Sequence, residues 1–269
     1  MRQLCENQIM SGLLSADKFI SVFAIALTLL LTSCAIATQT SNKEGYGDSE
    51  ETARARAHSD LGAAYLQQNK LEIALSEFTL ATKIDADHSP AYNGLGLVYA
   101  ALGEDVKADA SFKKSIQLHP KSSESHNNYG NFLCDRKRYD ESIPHFLEAV
   151  KNPLYPTPNL AYANAGICSA RNNNIQNAET FLLKALQIDP LTHSANYQLA
   201  DIQFTRGEVA LAKKTIQNTL LTNPSAQALW LGYKIERLLG GKDAQASYGL
   251  QLRKQYPSSE QTRLLLSGQ

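Results

Sequence analysis

The chain has 269 residues, with 26 Lys and Arg against 26 Asp and Glu, so its formal net charge is zero. A neutral chain with 19% charged residues lacks the cationic field that nucleic acid or an anionic lipid surface selects, so neither is an expected partner. Twelve Tyr, eight Phe and 43% apolar content exclude a disordered chain, and 9 Pro with 15 Gly are too few for low complexity.

The first element is an uncharged apolar run over residues 19–31, thirteen residues long. A helix needs roughly twenty residues to cross a bilayer core of about 30 Å, so this run is too short to span one. It has the length of a signal-peptide apolar region, and Arg2 and Lys18 supply a modest positive flank. The run ends in Leu31-Thr32-Ser33-Cys34, which resembles the bacterial lipobox of an aliphatic residue, two small residues and cysteine. The competing reading is a buried helix that happens to end in Cys. The resemblance implies cleavage before Cys34 and acylation of its thiol and new amine, with these acyl groups in place of any cofactor. Each buried CH₂ contributes about 0.8 kcal/mol, so two or three acyl chains anchor a protein almost permanently. Ala35 follows the cysteine, where an Asp would resemble an inner-membrane retention signal. Its absence points to the outer membrane of a Gram-negative bacterium, with the protein facing the periplasm. Glu6 and Asp17 lie in a long positive flank, so Met1 and Met10 both remain open as the start. Residues 1–33 are therefore read as a signal peptide, and residues 34–54 as the lipidated Cys and a polar, flexible tether.

From residue 55 the chain repeats itself. Gly62, Gly96 and Gly130 are spaced 34 residues apart, and Ala74, Ala108 and Ser142 each follow twelve residues later. Phe78, Phe112 and Phe146 come next, then the small residues Ala81, Ser115 and Ala149. The register continues through Gly166, Ala178, Leu182, Ala185 and Pro190 and fades through Ala200, Ala212, Ile216 and Pro224. The pattern resembles the tetratricopeptide repeat (TPR). It implies an all-α fold, a right-handed superhelix (α-solenoid) of about six tetratricopeptide repeats. These fall at 55–88, 89–122, 123–158, 159–192, 193–226 and 227–260, with a partial capping helix at 261–269, all in one domain over 55–269. Each unit is two helices, A then B, that cannot bury their apolar faces alone. Repeats five and six depart from the pattern, because Ala200 replaces the glycine and Lys234 stands where the next would fall.

No enzymatic constellation emerges. The six histidines, His58, His88, His119, His126, His145 and His193, include no pair at the i, i+4 spacing of a metal site. His126 is read as a packed core residue, and His88, His119 and His193 as solvated rings at turns. There is no Gly-x-Ser-x-Gly, no phosphate loop and no Cys-x-x-Cys. The chain is expected to bind protein, with no small-molecule substrate and no metal.

Of the four cysteines, Cys5 leaves with the signal peptide and Cys34 is acylated, so Cys134 and Cys168 remain. They stand at similar places on successive A helices. In an oxidising periplasm they are candidates for a disulfide, the alternative being two buried thiols a turn apart. The A-helix register also picks out a candidate peptide-binding groove: Asn93, Leu97, Asn127, Asn131, Ile167, Tyr197 and Phe204. Asparagine carries a donor and an acceptor and can match a peptide backbone. The apolar side chains would bury those of the ligand. No Lys or Arg occupies the fifth position of repeats one to five, so a free C-terminal carboxylate is a poor ligand. Between repeats three and four, two inserted residues make a loop with Pro153, Pro156 and Pro158 that presents Leu154 and Tyr155, as a partner contact or as packing.

The run Asn127-Asn128-Tyr129-Gly130, the Pro153-Leu154-Tyr155 loop and Asn164-Ala165-Gly166-x-Cys168 together resemble the type IV pilus biogenesis and stability lipoproteins, the pilotins. That resemblance spans the mature chain. It implies an outer-membrane-anchored adaptor that promotes outer-membrane targeting and multimerisation of the pilus secretin, whose subunit would be the partner. The alternative is a general periplasmic TPR lipoprotein that scaffolds peptidoglycan-processing enzymes.

Overall fold

The computed structural model of the chain describes residues 49–268. The signal peptide, Cys34 and most of the tether lie outside the described residues. Among those described there are thirteen helices and no strand. The first two hairpins are α1 (Glu50–Gln67) with α2 (Leu71–Ile84), and α3 (Ser89–Ala101) with α4 (Asp105–Leu118). Next come α5 (Ser123–Asp135) with α6 (Tyr139–Ala149), and α7 (Pro158–Arg171) with α8 (Ile175–Ile188). The last two pairs are α9 (His193–Thr205) with α10 (Val209–Thr222), and α11 (Ala226–Leu239) with α12 (Lys242–Gln255), closed by α13 (Glu260–Leu266).

The helix starts follow from short polar side chains. Ser49, Ser122, Asn174, Ser225 and Ser259 each accept a hydrogen bond from a backbone N–H of the first turn. Pro90 and Pro158 take first-turn places where no donor is needed. The cap at Ser49 starts α1 at Glu50, so the tether stops five residues short of the expected 54.

Each A–B turn contains one residue in the left-handed region: Asn69, Gly103, Lys137, Asn173, Gly207 and Gly240. Their spacing carries the repeat period, with two residues more between Lys137 and Asn173 and one fewer between Gly207 and Gly240. The shortfall corrects the register of the last unit. Only residues 223–225 separate α10 from α11, so the sixth hairpin opens at Ala226 and not at 227. Lys234 is thus not the glycine equivalent. In the corrected register that position is Tyr233, and the neighbouring Gly232 packs against the preceding hairpin, where a Cβ would lie 2.9 Å from Leu220 Cδ1. The insertion falls where α6, which carries Pro144, stops at Ala149 after eleven residues.

Phe78, Phe112, Phe146, Leu182 and Ile216 recur at the centre of successive hairpins, each at most 2% exposed. Full burial of such a side chain contributes roughly 1.5–3 kcal/mol. The glycines make room for them: a Cβ on Gly130 would stand 2.8 Å from Phe146 Cε1. Successive units are also stitched at their turns. Arg136 reaches back to Asp105 at 2.7 Å, Arg171 to Asp135 at 2.7 Å, and Arg206 to Glu179. Asp109 accepts from Tyr129 Oη at 2.8 Å and pairs with Arg138 and Lys113 at 2.7 Å each. Burial pushes its carboxyl up, but hydrogen bonds from Lys113, Arg138 and Tyr129 outweigh that and hold it down at about 2. Cys134 on α5 and Cys168 on α7 have Cα atoms 5.8 Å apart, and their sulfurs are joined. That distance lies within the span a disulfide bridges.

Candidate peptide-binding groove

Each A helix approaches the next A helix in the stack closely, while the backbones of successive B helices stay farther apart. The A helices therefore form the inner, concave wall, and their half-exposed side chains face a groove. Leu97 packs beside the cluster of Phe112, Tyr129 and Phe132, and Ile167 beside Leu182, Leu199 and Ile202. Tyr197 and Phe204 flank Ile216 and Leu231, with Lys234 Nζ 4.8 Å from the Phe204 ring centroid. These four apolar residues are half-buried, which leaves each with a face to offer a ligand.

The asparagines behave differently. Asn93 is only 5% exposed, and its Oδ1 accepts from Asn128 Nδ2 at 3.3 Å. Asn127 Oδ1 accepts from Asn164 Nδ2 at 3.0 Å. Two of the three asparagines singled out from the sequence are thus engaged in stacking one A helix on the next. Asn131 is half-exposed on the same helix as Asn127. Sequence reasoning missed Asn128 and Asn164, although both stand two residues before a repeat glycine and could have been found in that register. In the inserted loop Leu154 is 86% exposed, whereas Tyr155 is half-buried. Asn152 organises this loop by accepting from the Leu154 and Tyr155 N–H groups.

Two cavities open at the junctions of repeats four and five and of repeats five and six. One, of about 370 Å³, is lined by Ala170, Ile175, Gln198, Asp201 and Ile202. The other, of about 550 Å³, is lined by His193, Tyr197, Thr219, Gln227 and Tyr256. Burial raises the Tyr197 hydroxyl above its ordinary value, so it stays a neutral donor. One histidine differs from expectation. His88, read as solvated, is buried at 8% exposure. His126 is buried as expected, with Nδ1 2.9 Å from His145 Nδ1 and Nε2 3.0 Å from the Pro120 carbonyl. Because Nε2–H must donate to that carbonyl, His126 Nδ1 accepts and His145 Nδ1–H donates. Burial, and then the neighbouring His126, push His145 down to about 4. No group of three or more His, Cys, Asp and Glu side chains among the described residues could hold a metal ion.

A concave wall of half-buried apolar side chains, built from stacked hairpins, offers binding surface and no reacting centre. Models of the tetratricopeptide repeat match residues 59–123, 111–143 and 161–190. Fold and groove together define a non-enzymatic TPR protein that acts through protein–protein contacts. The type IV pilus assembly protein PilF of Pseudomonas aeruginosa is 30% identical over 204 residues, covering 76% of this chain and 81% of that one. The solved structure of P. aeruginosa PilF superposes with a TM-score of 0.73 at 27% identity, over 82% of this chain and 100% of that one. PilW, a widely conserved type IV pilus biogenesis factor, gives a TM-score of 0.68 at 31% identity over 79% and 98%. The chain belongs to this family of TPR proteins of type IV pilus biogenesis.

Proposed function

We propose that the protein is a pilotin, anchored in the outer membrane through acyl groups on Cys34, that holds a segment of the pilus secretin subunit in its A-helix groove. The observation that carries this reading is the likeness to PilF and PilW over nearly their whole solved length, with no additional domain among the described residues to suggest another task. The described residues contain no helix long and apolar enough to cross a membrane; in this proposal the acyl groups on Cys34 would supply the attachment. The residues between Cys34 and α1 act as a tether that raises the local concentration of captured subunits at the membrane. The joined cysteines suit an oxidising periplasm.

Deleting the gene and scoring secretin multimers in outer-membrane fractions, together with surface pili, tests the proposal. The expected result is loss of both, restored by the wild-type gene and restored less well by Cys34→Ser. Normal secretin rings and pili in the deletion strain would refute it and turn attention to scaffolding of peptidoglycan-processing enzymes.

A further inference from the structure

The corrected register of repeat six extends the groove by a wall that a strict 34-residue period conceals. Gly207 and Gly240 close the A–B turns of repeats five and six and stand 33 residues apart. Counted from those turns, Trp230, Lys234 and Arg237 on α11 take the places of Tyr197, Asp201 and Phe204 on α9. The Lys234 side chain bears this out, because it reaches back to α9 with its ammonium 4.8 Å from the Phe204 ring centroid. Trp230, Phe204 and Lys234 are all half-buried, so each keeps an accessible face. On the five earlier A helices the place of Lys234 is held by Ala63, Leu97, Asn131, Ile167 and Asp201. Lys234 is the one cation in that row.

The surroundings of that cation select a ligand. Among the described residues Lys234 makes no ion pair, with Asp201 or any other carboxylate. Glu236, two residues on, is 3% exposed and is taken by Lys213 at 2.9 Å. An aromatic face attracts a cation through its quadrupole but carries no net charge, so the Phe204 ring leaves the ammonium unneutralised. The ammonium also has three donors and no acceptor. Its setting among half-buried rings weakens screening by water and strengthens its pull on an anion. The complement of one compact ammonium is one carboxylate, joined to it by a charge-assisted hydrogen bond. Phe204 and Trp230 add a demand for apolar surface next to that carboxylate.

We infer that the repeat-six end of the groove binds a carboxylate of a polypeptide segment, with Lys234 as its ion-pair partner and Phe204 and Trp230 against an adjoining apolar side chain. The inference rests on the groove reading above and adds the chemistry of one end of the bound segment. The carboxylate comes from an Asp or Glu side chain or from a chain terminus. The absence of Lys and Arg at the fifth place of repeats one to five does not bear on Lys234, which stands at the ninth place of repeat six. A segment with its acidic group at one end would thereby be held in one direction along the wall.

Trp230 is the only tryptophan of the chain, so its fluorescence reports on this end of the groove. The test titrates the full chain in detergent micelles with three peptides that lack tryptophan. The first is acetyl-Ala-Phe-Glu-Leu-Ala-amide, and the second its glutamine counterpart, which keeps the shape but not the charge. The third is the glutamine peptide with a free terminal carboxylate. At least one carboxylate peptide should change Trp230 emission saturably and bind at least about fivefold more tightly than the neutral one. Preference for the glutamate peptide marks a side chain as the source, and preference for the free acid marks a chain end. Lys234→Met, which keeps the apolar stem at a half-buried position, should abolish the preference and leave the neutral peptide within about twofold. Lys234→Arg should retain it. No saturable change in emission, no preference for either carboxylate peptide, or a preference that survives Lys234→Met would each overturn the inference. Secretin assembly plays no part in this readout, so its failure and that of the pilotin proposal are distinguishable.

Discussion

The Cys134–Cys168 link joins two A helices across the junction of repeats three and four, with a sequence separation of 34. Closing a loop of that length removes chain entropy from the unfolded state, worth about 4 kcal/mol in the chain-entropy relation. The surrounding packing is preorganised for it: Phe146 and Ala165 bury the sulfurs, and Ser142 Oγ lies 3.3 Å from Cys168 Sγ. Reduction should therefore keep the fold and lower its stability. Urea and thermal unfolding by circular dichroism, compared between the oxidised chain and the same chain with dithiothreitol, read the difference directly. At about 2–4 °C per kcal/mol for a domain of this size, the expected fall in Tm is on the order of 8–16 °C. Repeats couple only to their neighbours, so the reduced chain should also show its first unfolding step at this junction. Superimposable curves would refute the reasoning. So would two reactive thiols, beyond any at Cys5 or Cys34, in the denatured but unreduced protein.

Lys137 sits at φ +61° in a turn where three other units use glycine at the same place. Lys137→Gly should stabilise the chain by about 1 kcal/mol, measured by the same urea titration, and a loss of stability would refute the turn assignment. Asn127→Ala leaves Asn164 Nδ2 without its acceptor and should cost about 1 kcal/mol. Asn131→Ala, on the same helix and half-exposed, should change stability by less than about 0.5 kcal/mol, and equal losses would remove the distinction drawn between them. His145 is held down to about 4 in the folded state by burial and by His126, against 6.5 unfolded. The unfolded chain then binds more protons between these values, so stability falls as pH drops from 6.5 towards 4, by up to about 3 kcal/mol. His145→Gln should flatten that slope between pH 7.5 and 4.5, and an unchanged slope would refute the assignment.

The repeat was legible because its driving residues are large, apolar and periodic. A Phe every 34 residues beside a Gly is a signal that burial alone explains. What the sequence hid was mostly decided by loop length. The one-residue shortening before Ala226 left no composition mark, so Lys234 was read in the wrong register. Lys137 hid a left-handed turn because nothing about lysine announces that conformation. At the site, the apolar residues could be placed by period, since the A-helix face recurs. The role of each asparagine could not be placed so, because an amide on that face may meet solvent, a ligand or the next helix. Only the neighbour's position settles which, as Asn128 does for Asn93. His88 was misread for a similar reason: a turn residue is solvated unless the adjacent hairpin covers it.

The engagement of Asn93 and Asn127 between helices changes what the groove can recognise. Amides already paired across the stack are poorly placed to grip a peptide backbone, so in the proposed groove recognition would fall to Leu97, Ile167, Tyr197 and Phe204. Such residues respond to the spacing of apolar side chains on the ligand more than to its backbone path. The wall that holds them is stiffened in its middle by the Cys134–Cys168 link, the asparagine pairs and the Arg136 and Arg171 stitches. A wall already rigid before binding leaves less ordering to be lost on association. The cavities lie at the repeat junctions, one between repeats one and two, one between four and five, and one between five and six. A ligand would thus meet a fixed apolar ruler in the centre and chemically distinct recesses towards either end. Under the proposed groove, that arrangement would set both the register and the direction of a bound segment.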